Sequence, residues 1–304
     1  MKYRWAFYSF ILFISILSGL SFWTRSPSDH RFFSHRFFSQ FLSSQYPLVI
    51  AHADDTGNGL WPGSTHIFLE GVAELGVDIL ELDVHMTKDG HVVVMHDDTV
   101  DRTTNGSGLI SSMTLAEIKT LKVAERWSND GGITYPYKSR VLTIPTLREV
   151  FAKFPDYPMN IEIKQESPSM AMTFCDLLRE FDMTEKVLVP SFSAQAMGEF
   201  RHACPEVATA ASSSDTQKFV LSNFIFLSKF LSPEYEAFQV PQTAYGLQLV
   251  TSHFVDSAHK RNLQVHVWTI NDAVQMNQLI KMGVDGIMTD RPDILLENLG
   301  RISK

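Results

Sequence analysis

From residue 47 onward the chain alternates short apolar runs with longer amphipathic ones, and this alternation restricts the possible fold more than any other feature. The short runs are LVIAHA (48–53), ILELDV (79–84), VVVMHD (92–97), NIEIK (160–164), VLVPSF (187–192), VATAA (207–211), AFQVP (237–241), VHVWTI (265–270) and GIMT (286–289). Short apolar runs alternating with helical patterns such as THIFLEGVAELG and SHFVDSAHKRN are the mark of a parallel α/β architecture. The second and third runs are joined by only a few residues around Lys88-Asp89-Gly90, too few for a parallel crossover, so the third must return as an antiparallel hairpin. Eight strands remain for residues 47–304, which is the size of a (β/α)8 TIM barrel. No Gly-rich fingerprint opens a first crossover, which disfavours an open doubly wound sheet. The expected fold is therefore an α/β TIM barrel with an inserted hairpin and loop region. Within it, residues 98–143 carry a single short helical run, TLAEIKTL, and a connection that long predicts a lid or a substrate-contacting insertion.

The segment ahead of the barrel has a different character. Trp5 to Trp23 is a run of 19 uncharged residues preceded by Lys2 and Arg4. At about 1.5 Å per residue a helix of that length spans roughly 28 Å, enough to cross a bilayer. An uncleaved anchor within residues 1–25 is expected over a cleaved signal peptide, with residues 26–46 as linker and residues 47–304 as the barrel body. The short leader places that body outside the cytoplasm, in a periplasmic location, or secreted if the segment is cut. The linker repeats HRFFS in tandem at 30–34 and 35–39, which reads either as a membrane-surface segment or as a plain tether. Cys175 and Cys204 are too few and too far apart for a metal knuckle or a disulfide scaffold; two buried free thiols are expected, pairing outside the cytoplasm being the alternative. A net charge of −8 with no clustered basic face argues against a nucleic-acid partner.

Chemistry concentrates at the ends of the strands. Glu81 and Asp83 alternate onto one face of ILELDV. With Asp89-Gly90 as central turn residues His96 returns opposite Asp83, and with Lys88-Asp89 it returns opposite Glu81, whereas a one-residue slip sends it to the other face. His52 ends the first run, and Glu162 and Lys164 share one face of NIEIK. The C-terminal strand ends of a TIM barrel carry its active site. Converging carboxylates repel one another and call for a cation, and oxygen ligands without thiolates suit Mg²⁺ or Ca²⁺. Two imidazoles beside such a centre make an acid and a base, and Lys164 offers a point charge to an anion such as phosphate. Trp268 within VHVWTI, read alone, is a core residue.

The stretch ELDVHMTKDGHVVVMHDDTVDRTTNGSG, followed in order by IPTLREVF, NIEIK, VLVPSF, VHVWTIN and DGIMTDRP, resembles the blocks of the glycerophosphodiester phosphodiesterase family over about residues 48–294. The resemblance implies a TIM barrel with a metal held by Glu81, Asp83 and Glu162. It also implies catalytic histidines at His52 and His96, with Lys164 and Trp268 binding substrate. The implied reaction is hydrolysis of a glycerophosphodiester to sn-glycerol 3-phosphate and an alcohol, and some membrane-associated relatives take lysophospholipids instead. The first block departs from the pattern: Ala53 stands where the family has arginine, and Gly63-Ser64 where it has Glu-Asn. Loss of an arginine fork removes bidentate bonds to phosphate, so a noncatalytic headgroup binder is the contrasting reading. Asp54 and Asp55 either extend the metal site or turn the loop. The Phe-rich run VLSNFIFLSKFL (220–231) is expected to be an outer helix packed on the barrel core, the other reading being a segment that contacts a lysophospholipid.

Overall fold

The computed structural model describes residues 35–41, 47–225 and 227–303. The apolar run at 5–23 and the first HRFFS copy lie outside the described residues. Among the described residues no helix is long and apolar enough to cross a membrane.

All nine expected strands form. In chain order the strands are β1 (Leu48–Ala51), β2 (Ile79–Met86), β3 (Val92–Val94), β4 (Met159–Ile163), β5 (Val187–Val189), β6 (Ala208–Thr209), β7 (Ala237–Pro241), β8 (Thr243–Ala244), β9 (Leu247–Gln248), β10 (Gln264–Trp268) and β11 (Gly286–Thr289). Eight run parallel in the order β6-β5-β4-β2-β1-β11-β10-β7, and a parallel bridge from Ala210 to Ala237 joins the two ends into a ring. β3 hangs antiparallel on β2, and β8 with β9 forms a separate two-stranded hairpin. The helices are α1 (Arg36–Ser39), α2 (His66–Leu75), α3 (Leu115–Ile118), α4 (Leu147–Lys153), α5 (Ala171–Glu180), α6 (Ala194–Ala203), α7 (Ser213–Phe224), α8 (Ser252–His259), α9 (Ala273–Met282) and α10 (Pro292–Asn298). Thr65 caps α2 at its start, and Gly76, at φ 79°, ends it in the left-handed conformation that favours glycine.

β2 shows how the alternation builds the barrel. Leu80, Leu82 and Val84 face the outer helices in the main core, while Ile79 joins Leu48, Ile50 and Met288 in a second cluster inside the ring. Glu81 and Asp83 share the face of Ile79 but lie further along the strand, toward the C-terminal mouth. The second cluster is completed by Phe37 and Phe38 of α1, both almost fully buried. The second HRFFS copy thus packs against the strand starts and closes the barrel floor, a role that neither reading of the linker included. Burying a phenylalanine contributes roughly 1.5–3 kcal/mol.

The structure corrects three further expectations. Val84 pairs with Val94 and Met86 with Val92, the one-residue slip relative to both anticipated hairpin registers. The turn has three residues, Lys88-Asp89-Gly90, with Gly90 at φ 83° and Thr87 and His91 closing it, so the extra left-handed residue shifts the pairing by one. Residues 98–143 build a satellite core around Val100, Ile110, Ile118 and Val123, and none of them lines the large cleft at the mouth. Cys175 and Cys204 are a disulfide and not free thiols: adjacent helices α5 and α6 bring their Cα atoms to 5.6 Å, inside the range a bridge requires. The bridge closes 29 residues, and the chain-entropy cost it spares the folded state is about 3–4 kcal/mol. The double variant Cys175→Ala/Cys204→Ala is expected to lose about 2–4 kcal/mol of stability. Denaturant unfolding checks this; an unchanged midpoint would show that the bridge contributes nothing.

Candidate active site

Adjacent strands present the acidic groups at matched heights. Asp83 and Glu162 are direct register partners across β2 and β4, and Ala51 lies opposite Leu80, which puts His52 level with Glu81. Ligand-capable oxygens of Glu81, Asp83 and Glu162 lie within 4.8 Å of one another. Burial first, then the charge of Asp83, pushes Glu81 up to about 8 and Glu162 up to about 7. One oxygen of Glu81 accepts the Ala53 backbone N–H at 2.8 Å, whereas Asp83 Oδ2 is buried with no hydrogen-bond partner. Three oxygen donors, mutual repulsion and an orphaned carboxylate oxygen fit a hard divalent cation. Lys164 Nζ stands 3.2 Å from both Asp83 and Glu162; burial alone would lower its pKa, but those two charges raise it well above the ordinary lysine value.

Each histidine is held by its own aspartate. His52 Nδ1 is 2.6 Å from Asp290 Oδ1, and Asn271 donates to the other Asp290 oxygen at 2.6 Å. His96 Nδ1 is 2.8 Å from Asp97 Oδ1, and Arg102 donates to both Asp97 oxygens at 2.7 and 2.8 Å. A carboxylate only accepts, so each ring carries its proton on Nδ1 and leaves Nε2 for chemistry. Burial alone would push His52 down, but the Asp290 hydrogen bond and the charges of Glu81, Asp290 and Asp83 raise it to about 9. The Arg102 guanidinium pulls Asp97 down to about 2. Because β3 ends at Val94, His96 is free of the ladder, and it reaches the site despite the slipped register.

His52, Glu81, His96, Glu162, Lys164 and Trp268 all line one cleft of about 1020 Å³ at the C-terminal mouth. Asp83 lies just beneath, buried against Lys164. The residues singled out from sequence therefore converge. Trp268 is half-buried with its ring edge-on to Phe192 at 5.8 Å, a cleft wall more than a core residue. Asp290, Asn271 and Arg102 were not singled out; the available signal was a carboxylate or its partner directly after a strand end, as in TDRP and HDDTVDR.

Beyond His52 and the Ala53 N–H that binds Glu81, the variant first block builds the loop beside the site. Asp54 accepts the Thr56 hydroxyl and the backbone N–H groups of Thr56, Asn58 and Gly59, and these hydrogen bonds, the hydroxyl's foremost, outweigh its burial and lower its pKa, so it turns the loop. Asp55 accepts from Ser64 Oγ at 3.0 Å, and burial pushes it up to about 6. Neither belongs to the acidic cluster. Gly63 lies so close to Ala53 that a Cβ would meet the Ala53 carbonyl oxygen at 2.4 Å, so the glutamate the family carries there has no room here. Among the described residues Lys164 is the only lysine or arginine lining the cleft.

Comparison with known proteins agrees with this geometry. A glycerophosphodiester phosphodiesterase of Caldanaerobacter subterraneus subsp. tengcongensis is 33% identical over 258 residues, covering 82% of this chain and 96% of the relative. The rat enzyme named lysophospholipase D GDPD1 is 24% identical over 281 residues, covering 84% and 86%. An Oleispira antarctica phosphodiesterase, solved with the product sn-glycerol-3-phosphate, superposes with a TM-score of 0.64 at 24% identity, covering 84% of this chain and 97% of that one. Residues 58–294 match the model of the glycerophosphoryl diester phosphodiesterase family, and the chain belongs to that family of phosphoric diester hydrolases.

Proposed function

We propose that the chain hydrolyses glycerophosphodiesters to sn-glycerol 3-phosphate and an alcohol, using one divalent cation, Mg²⁺ or Ca²⁺, held by Glu81, Asp83 and Glu162. The observation that carries this reading is the meeting of three carboxylates, a lysine and two aspartate-held histidines at one barrel mouth. The cation, when bound, supplies positive charge that offsets the phosphate and the acidic cluster. Lys164 adds a fixed charge against a phosphate oxygen and stands in for the arginine that Ala53 replaces. His52, with its raised pKa, donates the Nε2 proton to the departing alkoxide, while His96 Nε2 accepts a proton from the attacking water or glycerol 2-hydroxyl. The relative solved with sn-glycerol-3-phosphate supports this choice of product.

Incubation of the full-length protein with glycerophosphocholine is expected to release glycerol 3-phosphate, to stop on chelation and to resume when Mg²⁺ or Ca²⁺ is restored. Release that ignores chelation would sink the metal assignment, and no release from any diester would favour a headgroup binder. We also infer an extracytoplasmic body tethered through residues 5–23. The Cys175–Cys204 bridge supports this placement, because disulfides persist in oxidising compartments. Thiols found reduced in protein alkylated at the moment of cell lysis would contradict it.

A further inference from the structure

Below the acidic groups the barrel interior carries carboxamides and a histidine, where branched aliphatic side chains usually fill the layers. Asn160 precedes Glu162 by two residues on the same face of β4 and is the register partner of Glu81. It therefore stands one layer beneath Glu162, level with Glu81. Gln239 of β7 is the register partner of His266 on β10. β4 and β7 are not neighbours in the ring, yet Gln239 Nε2 donates to Asn160 Oδ1 at 2.6 Å. This bond crosses the barrel interior, and because both residues line the cleft it forms part of the cleft floor.

A chain of hydrogen bonds fixes the direction of each amide. His266 is fully buried, and burial pushes it down to about 3, so its ring is neutral and carries one proton. Nε2 lies 2.8 Å from Gln264 Oε1, which only accepts, so the proton sits on Nε2 and Nδ1 is left as an acceptor. Gln239 Nε2 faces that Nδ1 at 3.4 Å as well as Asn160 Oδ1. Both of its protons are thereby committed, and Gln239 Oε1 remains as an acceptor. Asn160, accepting through Oδ1, keeps Nδ2 as a donor. Among the described residues neither Gln239 Oε1 nor Asn160 Nδ2 has a hydrogen-bond partner, and neither is sealed from solvent as Asp83 Oδ2 is. A neighbouring acceptor and donor match a hydroxyl group, which donates and accepts at once. An alkyl chain or a quaternary ammonium would leave both unpaired.

We propose that Asn160 and Gln239 form a hydroxyl-recognising subsite, in which Gln239 Oε1 accepts from and Asn160 Nδ2 donates to an alcohol group of the substrate. The proposal rests on the diesterase reading above and adds two specificity-determining residues to it. His266 and Gln264 act behind them, holding the amides in the orientation that presents this pair. Two parts of a diester can bring the alcohol: the unesterified glycerol, or a polyol headgroup such as inositol. The chemistry of the contact is the same for both.

The full-length protein with Mg²⁺ is assayed on three diesters: glycerophosphocholine, its analogue built on propane-1,2-diol, which lacks only the terminal glycerol hydroxyl, and glycerophosphoinositol. Comparing the first two reads the glycerol half, and comparing the third with the first reads the headgroup. When the alcohol is missing the amides stay unpaired in the complex, so the hydroxyl-bearing member of one pair is expected to lead in kcat/KM by about 10²-fold or more. In Gln239→Leu that ratio is expected to fall to within about threefold of one, since leucine offers the alcohol nothing. Leucine also strips His266 Nδ1 of its donor, so stability falls too, but a ratio of two constants is independent of how much protein folds. Asn160→Ala repeats the test while leaving Gln239 on His266. The pair whose ratio collapses identifies the half of the substrate that brings the alcohol. Ratios unchanged in both variants, with only the unfolding midpoint lowered, would reduce the amides to partners of His266 and overturn the inference. Wild-type indifference within both pairs overturns it as well, and leaves the diesterase reading standing. Failure to cleave any of the three overturns that reading together with it.

Discussion

Replacing Glu81 with glutamine is expected to remove turnover and, in the metal-free protein, to raise stability. The glutamine carbonyl can still accept the Ala53 N–H that Glu81 accepts now, so the local backbone has no reason to move. The charge is what disappears. Burial and the neighbouring Asp83 raise Glu81 to about 8, far above the ordinary glutamate value of 4.5, so the folded state holds a proton that the unfolded chain has released. Stability from that proton is fully present below pH 4.5 and is lost as pH rises toward 8; Glu162, raised to about 7, acts in the same direction. With chelator present, the wild-type chain should lose stability between about pH 4.5 and 8. Glu81→Gln should flatten that curve and lead at the upper end by an amount on the order of a few kcal/mol. Adding Mg²⁺ or Ca²⁺ should narrow the lead by stabilising only the chain that keeps all three ligands. Activity of the variant should fall by more than about 10²-fold. Unfolding midpoints taken across that pH range decide the matter: parallel curves would mean that the acidic cluster stores no repulsion.

The same cluster shows what could be read ahead of the structure. Glu81, Asp83 and Glu162 were readable because an ionisable side chain in an apolar strand has few explanations, and period-two alternation assigns it a face. The eight parallel strands were readable for the same reason, with apolar runs of strand length separated by helical patterns. The hairpin register was not, because it depends on whether Gly90 adopts a left-handed conformation within a three-residue turn, and Lys-Asp-Gly permits more than one choice. His96 nevertheless reached the cleft, since the ladder ends before it and the slip has no face to reverse. The disulfide depended on which outer helices become neighbours, which is a property of the closed ring and absent from the spacing of two cysteines. Phe37 and Phe38 were misleading for a related reason: a short Phe-rich segment suits a lipid surface and a barrel floor equally well until the floor exists. VLSNFIFLSKFL departs from a helix packed on the core: Phe219, just before the run, is buried there, but Leu221 and Phe224 of α7 line the cleft.

His52→Ala and His96→Ala are each expected to lower kcat by about 10²–10⁴-fold, the usual contribution of a positioned acid or base. The size of the loss does not distinguish their roles, but the pH profile does. A general acid must be protonated, so the basic limb of the wild-type profile belongs to His52, and His52→Ala should leave a residual rate that no longer falls on that side. A general base must be neutral, so His96→Ala should erase the acidic limb instead. Asp290→Asn provides an independent check, because Asp290 holds His52 whereas a different aspartate, Asp97, holds His96. The Asp290 hydrogen bond is the strongest of the influences that raise His52, and an amide oxygen keeps the contact while surrendering the charge. The basic limb should therefore move to lower pH while the acidic limb stays in place. If the acidic limb moves and the basic limb holds, the two histidines exchange roles, and the aspartate that follows β11 would be tuning the base.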